Sequence, residues 1–298
     1  NWNTRVLTDE ALTSLRHHEK DVPLEVIVVD NASADGSVEF LKSRHPDVTF
    51  IANAENEGFA RANNRGVAVA RGDYVLLLNS DTRYIEEVLP ACLEVSGPLS
   101  IVACRLLNAD GTLQVSAETF PTLAGYFAEL WGTAAAAHSR KLRHLASPEK
   151  SPFEVDWLSG AFMLLQRETY LGLGGLSETI FMYGEDMEFC WRARRKGIRC
   201  VYVPGVSLVH LGGGASDHSS FRSLVISDQG RLRAFSITRG ILPALCLRGL
   251  FLLRSALRAP VFFIAGVLKR DPRLRTKALH HFKEALILSG LNHARNIV

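Results

Sequence analysis

Short apolar runs that each stop on polar residues limit the fold more than any other feature of this sequence. Val75–Leu78 is unbroken, follows Gly72-Asp73 and stops at Asn79-Ser80-Asp81. Such a run is too short for a helix and fits a buried strand. Leu24–Val29 behaves alike and ends at Asp30-Asn31, and Val48–Ala52 supplies a further strand. Helical patterns fall between them, over Thr8–Lys20, from Asp35 through Arg44, and from Asn56 to about Ala70. Alternating strands and helices predict an α/β chain with a mostly parallel, mixed sheet flanked by helices.

A second strand-rich part follows. Ile101–Cys104 and Ala161–Leu165 read as strands, and Asn108-Ala109-Asp110-Gly111 as a hairpin turn. Helices are expected over Phe120–Leu145 and Glu185–Lys196, the latter stopped by Gly197, with a polar loop over Ser147–Pro152. Cys200–Val203 and Val206–Val209 read as two strands split by Pro204-Gly205, the second ending at His210 before Gly212-Gly213-Gly214.

Five scattered cysteines without a C-x-x-C pair argue against a disulfide framework or zinc site and suit a reducing compartment. Neither a Walker A motif, nor G-x-G-x-x-G after a strand, nor G-x-S-x-G occurs, which removes the usual nucleotide-hydrolase, dinucleotide and serine-hydrolase signatures.

Open α/β sheets bind ligands beyond the carboxyl ends of their strands. Asp30, Asp81 and His210 stand at such ends, and Glu185-Asp186 opens a helix. Singly, each has a plain structural role: Asn-Ser-Asp caps helices, a half-buried histidine is often satisfied internally, and acids favour helix N-termini. Together they point to a hard cation that neutralises a diphosphate and a carboxylate that takes a proton.

Six segments carry a resemblance: VVDNASADGS (Val28–Ser37), NEGFARANNRG (Asn56–Gly66), LLLNSD (Leu76–Asp81), SGAFMLLQRE (Ser159–Glu168), FMYGEDMEFCWRARRKG (Phe181–Gly197) and VHLGGGAS (Val209–Ser216). In this order they resemble family 2 inverting glycosyltransferases, nearest the bacterial rhamnosyltransferase-like branch. The resemblance implies a GT-A fold and a nucleotide-sugar donor. It implies that Asp30 contacts the donor base and that Asn3, Asn56, Gly58, Phe59, Arg61 and Asn64 line the donor pocket, with Arg61 near the diphosphate. Asn79-Ser80-Asp81 matches the D-x-D motif with Asn in place of its first acid. Asp81 would then carry most of the binding of Mg²⁺ or Mn²⁺, completed by His210. Asp186 matches the catalytic base, and Trp157, Ser159, Tyr183 and Glu185 fall on the acceptor side by analogy. A departure is that the family's first strand, which ends in a sequence like Asn1-Trp2-Asn3, is missing. The resemblance therefore implies a fragment with an incomplete donor site. The implied reaction moves L-rhamnose from dTDP-rhamnose to a glycan or polyprenyl-linked acceptor. A UDP- or GDP-sugar donor and a non-catalytic assembly protein are the alternatives.

Charge divides the chain. From Gly230 onward 13 Lys and Arg face 2 Asp and Glu, a net +11, which leaves −8 for residues 1–229. The expected organisation is a catalytic domain over 1–239 and a basic amphipathic helical extension over 240–298. In Ile241–Leu268, Pro243 and Pro260 are expected to break the apolar run into two or three helices. Arg248, Arg254 and Arg258 make a membrane-spanning helix costly. The composition instead predicts helices lying on an anionic membrane surface, the inner face of the plasma membrane, with packing on the catalytic domain as the alternative. Few aromatics for stacking argue against nucleic acid.

Overall fold

The structure is a computed structural model that describes residues 1–130, 145–146, 151–212 and 221–289. The expected helix over 120–145, the loop over 147–152 and the glycine run 212–214 lie partly outside the described residues.

The chain begins with α1 (Arg5–His18), β1 (Ile27–Asp30), α2 (Ser37–Arg44), β2 (Thr49–Ala52) and α3 (Gly58–Val69). It continues through β3 (Tyr74–Leu78), β4 (Thr82–Tyr84), α4 (Leu89–Glu94), β5 (Ser100–Leu107), β6 (Ala117–Glu118) and α5 (Leu123–Leu130). Then come β7 (Phe153–Val155), β8 (Trp157–Leu158), β9 (Phe162–Gln166), α6 (Arg167–Gly172), α7 (Glu185–Arg195) and β10 (Arg199–His210). Three long helices follow: α8 (Phe221–Arg239), α9 (Ile241–Leu268) and α10 (Pro272–Ser289).

These elements form two compact units, residues 1–120 with 137–217, and residues 121–136 with 218–298. The division falls earlier than residue 239, so α8 and the short α5 group with α9 and α10.

In the first unit the main sheet runs β3-β9-β5-β10-β4, with β7 also on β10. The sheet is mixed, but antiparallel pairs outnumber parallel ones. Among the described residues only β5–β10 is parallel within it, and β1–β2 forms a separate parallel pair. Apolar runs announce strands but not their direction, which depends on partners such as β9, more than 80 residues beyond β3. Among the described residues, no strand pairs with the second edge of β1 or of β3. Asn1 alone lies along β1: its amine donates to Val29 O (2.7 Å), and its carbonyl accepts from Asn31 N–H (2.8 Å).

Pro204-Gly205 does not divide two strands. The register against β5 shifts between Val203 and Ser207, and β10 continues to His210. A bulge tolerates proline because the ladder is already interrupted there. The expected hairpin turn is present, with Gly111 at φ 80° and Asn108 N–H donating to Thr112 O (2.7 Å). Ile101, Phe162, Leu165, Phe189 and Tyr202 lie in the buried core of this unit.

The second unit packs α5, α8, α9 and α10 around Tyr126, Phe235, Leu247, Phe251 and Leu288. The Tyr126 ring meets Phe235 and Phe251 edge-on, at 5.9 and 5.8 Å between centroids. The expected breaks in α9 do not occur. Pro243 sits in its first turn, where an amide has no helical partner to lose, and α9 runs through Pro260.

Candidate active site

All of the site residues named above lie in the first unit. After β3 the chain turns at Asn79, whose carbonyl accepts from Thr82 N–H (3.3 Å) and Thr82 Oγ1 (2.8 Å). This tight turn starts β4, which pairs antiparallel with the end of β10 so that His210 opposes Thr82. The result brings together residues 129 apart in sequence: His210 Nε2 stands 3.3 Å from Asp81 Oδ1 and 3.1 Å from Asn79 Nδ2. Ser80 is drawn aside, its hydroxyl 3.1 Å from that of Thr4.

Sequence reasoning missed Gln114. Its Oε1 lies 2.6 Å from His210 Nδ1, while its Nε2 donates to Asn108 Oδ1 (3.0 Å) and His210 O (3.3 Å). Two carbonyl acceptors thus fix the amide's orientation, and the remaining oxygen accepts from Nδ1–H. The Nε2 lone pair is left facing Asp81 and Asn79, the tautomer a metal-binding histidine needs. Nothing near Gln114 in the sequence signals this pairing.

Among the described residues, no three His, Cys, Asp or Glu side chains converge as a complete metal cage. Asp81 and His210 nevertheless fit a hard cation held by few protein ligands, the rest of its shell coming from phosphate and water oxygens. Asn79 could add an oxygen by turning its amide.

Asp186 is the second residue of α7. Tyr183 (φ 69°) and Gly184 (φ 107°) turn the chain into the helix, and such strain in a non-glycine residue concentrates at functional positions. Asp186 Oδ1 accepts from Met187 N–H (2.8 Å) and Oδ2 from Gly160 N–H (3.1 Å). The next residue, Ala161, accepts from Asn79 N–H (3.1 Å), so Ser159-Gly160-Ala161 ties Asp186 to the Asn79–Asp81 turn. Gly160 stands in the SGAFMLLQRE segment, but nothing in the sequence assigns it a role of its own. A Cβ there would come 3.1 Å from the Phe59 ring and 3.6 Å from Asp186 Cβ.

Asp186 is crowded by protein but keeps some accessible surface. Burial raises its pKa above the ordinary carboxylate value, against the pull of the backbone N–H groups. Glu185 is buried, and burial followed by the Asp186 charge pushes its pKa well up. Its Oε2 has no hydrogen-bond partner. A helix N-terminus favours ionised carboxylates, so burial outweighs it here.

The acceptor-side candidates sit close by. Trp157 Nε1 donates to Thr119 O (3.2 Å), Ser159 Oγ accepts from Ala161 N–H (3.3 Å), and Tyr183 is half-buried.

The donor-side candidates divide. Asp30 is buried and engaged by Asn1 Nδ2, Ser33 N–H (2.8 Å) and Ser33 Oγ (2.7 Å). Asn3 bonds Ser33 and Ala34. Asn56 Oδ1 accepts from Gly58 N–H (3.0 Å) at the start of α3. Gly58, at φ 83°, is required by packing, since a Cβ would fall 2.4 Å from Phe181 O. Asn64 bolts the fold: its Oδ1 accepts from Tyr170 OH (2.6 Å) and Leu176 N–H (2.9 Å), and its Nδ2 donates to Leu176 O (2.9 Å). Arg61 pairs with Glu178 at 3.2 Å, both half-exposed.

A profile described as Glycosyl transferase family 2 matches residues 2–111. N-acetylglucosaminyl-diphospho-decaprenol L-rhamnosyltransferase of Mycobacterium tuberculosis is 29% identical over 218 residues, covering 63% of this chain and 66% of that protein. Rhamnosyltransferase WbbL of Escherichia coli is 26% identical over 167 residues, covering 51% and 60%. The alignments thus span about two thirds of these relatives or less. Among solved structures, a mannosyltransferase from Pyrobaculum calidifontis in complex with GDP-Man and Mn²⁺ superposes with a TM-score of 0.53 at 18% identity, over 98% of this chain and 84% of that one. GalNAc-T7 with UDP, GalNAc and Mn²⁺ gives 0.53 at 14% identity, over 76% and 44%. Residues 2–111 thus match glycosyl transferase family 2, the chain is similar in sequence to rhamnosyltransferases, and its fold is GT-A.

Proposed function

We propose that this protein is an inverting glycosyltransferase that moves L-rhamnose from dTDP-rhamnose to a hydroxyl of a glycan or polyprenyl-linked acceptor. The observation that carries the reading is the convergence of Asp81 and His210, tied through Ser159-Gly160-Ala161 to the Asp186 carboxylate at the start of α7. Asp186 takes the acceptor's proton as the glycosidic bond forms in a single in-line displacement. Burial makes it a better base than a solvated aspartate. Asp81 and His210 would hold Mg²⁺ or Mn²⁺, which would supply positive charge to offset that of the departing nucleoside diphosphate. Gln114 keeps His210 oriented for that role. The names of the mycobacterial and E. coli relatives support the choice of sugar. Arg61, half-exposed and paired with Glu178, reaches the diphosphate by exchanging that partner. The protein works at the anionic inner face of the plasma membrane, which the basic helical unit supports.

The test is a panel of dTDP-, UDP- and GDP-sugars, with and without Mn²⁺, on the wild type and Asp81→Ala. The expected result is transfer or hydrolysis with dTDP-rhamnose that needs the cation and is lost in the variant. Full activity of Asp81→Ala in chelator would remove the metal role.

A further inference from the structure

Three arginines in a 28-residue helix ordinarily forbid contact with lipid hydrocarbon, so where they point decides what α9 can touch. Arg254 points inward. Its guanidinium pairs with Asp228 of α8 and Glu284 of α10 and lies over the Phe251 ring, 4.9 Å from the centroid. Its side chain is 12% exposed, and the two carboxylates are 1% and 0% exposed. Ser255 Oγ donates to Glu284 Oε2 (2.7 Å), and His281 Nδ1 lies 3.1 Å from the same oxygen. Arg248 Nε donates to Leu288 O. Only Arg258 is exposed.

The outward face is therefore nearly free of charge. Leu242, Leu245, Leu253, Leu257, Val261 and Ile264 follow one another at helical spacing and are 40–77% exposed. At 1.5 Å per residue α9 is about 42 Å long. Length and composition alone would let it cross a bilayer. Its other side is committed to α8 and α10 through Arg254, which suits a helix bedded lengthwise rather than a lone span.

The same ion pairs set the sign of the surrounding surface. Asp228 and Glu284 are consumed inside, leaving Asp271 the one acid with appreciable exposure among the described residues of α8–α10 and their links. Lys269, Arg270, Arg273, Arg275 and Lys277 are exposed at the turn where α9 ends and α10 begins. An uncharged apolar strip beside a one-sign basic corner matches an anionic bilayer, which offers hydrocarbon and negative headgroups together. Nucleic acid would satisfy the basic corner and leave the strip in water. Phe251 and Phe262 do not belong to this face: Phe251 is core, and Phe262 stacks on His281 at 5.6 Å.

We infer that the outward face of α9 beds in the acyl boundary of an anionic bilayer, and that the inward pairing of Arg254 with Asp228 and Glu284 is what makes this face compatible with lipid. The inference rests on the membrane reading above and adds the residues that enter.

Cys246 gives a native probe, being exposed on α9 while Cys92, Cys104, Cys190 and Cys200 are buried. The full chain, labelled at Cys246 with an environment-sensitive fluorophore, is mixed with phosphatidylglycerol-containing vesicles. The expected result is a blue shift that persists at about 1 M salt, where screening reaches about 3 Å. Leu257→Glu/Val261→Glu should keep its thermal unfolding profile yet partition at least about 100-fold more weakly at that salt, having lost two apolar side chains from the contact. A wild type that never sediments with the vesicles overturns the membrane reading itself. A wild type that binds while the label stays in water, or while the double variant resists salt equally, overturns the assignment of this face alone. Vesicle-independent Cys246–Cys246 cross-linking with a dimeric mass would assign the face to a second copy instead.

Discussion

Asp186→Asn is usually made as a silent change of shape, but here it is not silent. The two carboxylate oxygens each accept a backbone N–H, from Met187 at 2.8 Å and Gly160 at 3.1 Å. An amide offers one acceptor, so its NH₂ must face one of those donors. An orphaned or opposed donor of this kind costs about 1–3 kcal/mol. For a chain of this size that is roughly 2–4 °C of Tm per kcal/mol. The Met187 bond is within the residue's own turn, so the strain should fall on Gly160 and pass to Asn79 through Ala161. The chemical loss is separate: removing a positioned base should cut turnover by about 10²–10⁴-fold. The base must be deprotonated, and burial raises its pKa, so the wild-type rate should fall with decreasing pH from above the ordinary aspartate range. That acid limb should vanish in the residual activity of the variant. Stopped assays of nucleoside diphosphate release give turnover, calorimetry gives donor affinity, and calorimetric melting gives Tm. Near-normal donor binding with slow turnover is expected. Unchanged turnover, or an acid limb that survives in the variant, would refute the role of Asp186. Lost donor binding would move Asp186 to the donor or metal site.

Gln114→Leu removes the acceptor that fixes His210 and should weaken Mn²⁺ binding about 10–100-fold, the usual cost of losing such support, as read by electron paramagnetic resonance of free Mn²⁺. Unchanged Mn²⁺ affinity would make Gln114 merely structural. His210→Ala should weaken Mn²⁺ less than Asp81→Ala, because it removes no charge; the reverse order in the same titration would reverse the ranking of the ligands. Glu185 has a folded-state pKa above its unfolded value, so the folded chain binds the proton more tightly and loses stability as pH rises from the unfolded value through the folded one. Glu185→Gln should thus raise Tm at neutral pH and flatten its pH dependence between those limits; a lower Tm at pH 7 would show that the ionised group is held by a partner.

Much of the site was legible because it is local. Apolar runs end where strands end, which marked Asp30, Asp81 and His210, and the acids and turn residues before a helical pattern marked Glu185 and Asp186. What the sequence determined by itself was this set of strand ends and helix starts, since hydrophobic period and turn chemistry act over a few residues. The tertiary structure decided everything that depends on a distant partner. Strand direction, and hence the mixed sheet, followed from which strands met. Asn64 proved to be a bolt because Tyr170 and Leu176 lie more than 100 residues away, and Gln114 gained its role from a histidine 96 residues on. In α9 the sequence supplied three arginines, but only the carboxylates of α8 and α10 could turn Arg254 inward and leave the other face apolar. Charge compensation is a property of neighbours in space, and no one-dimensional pattern carries it.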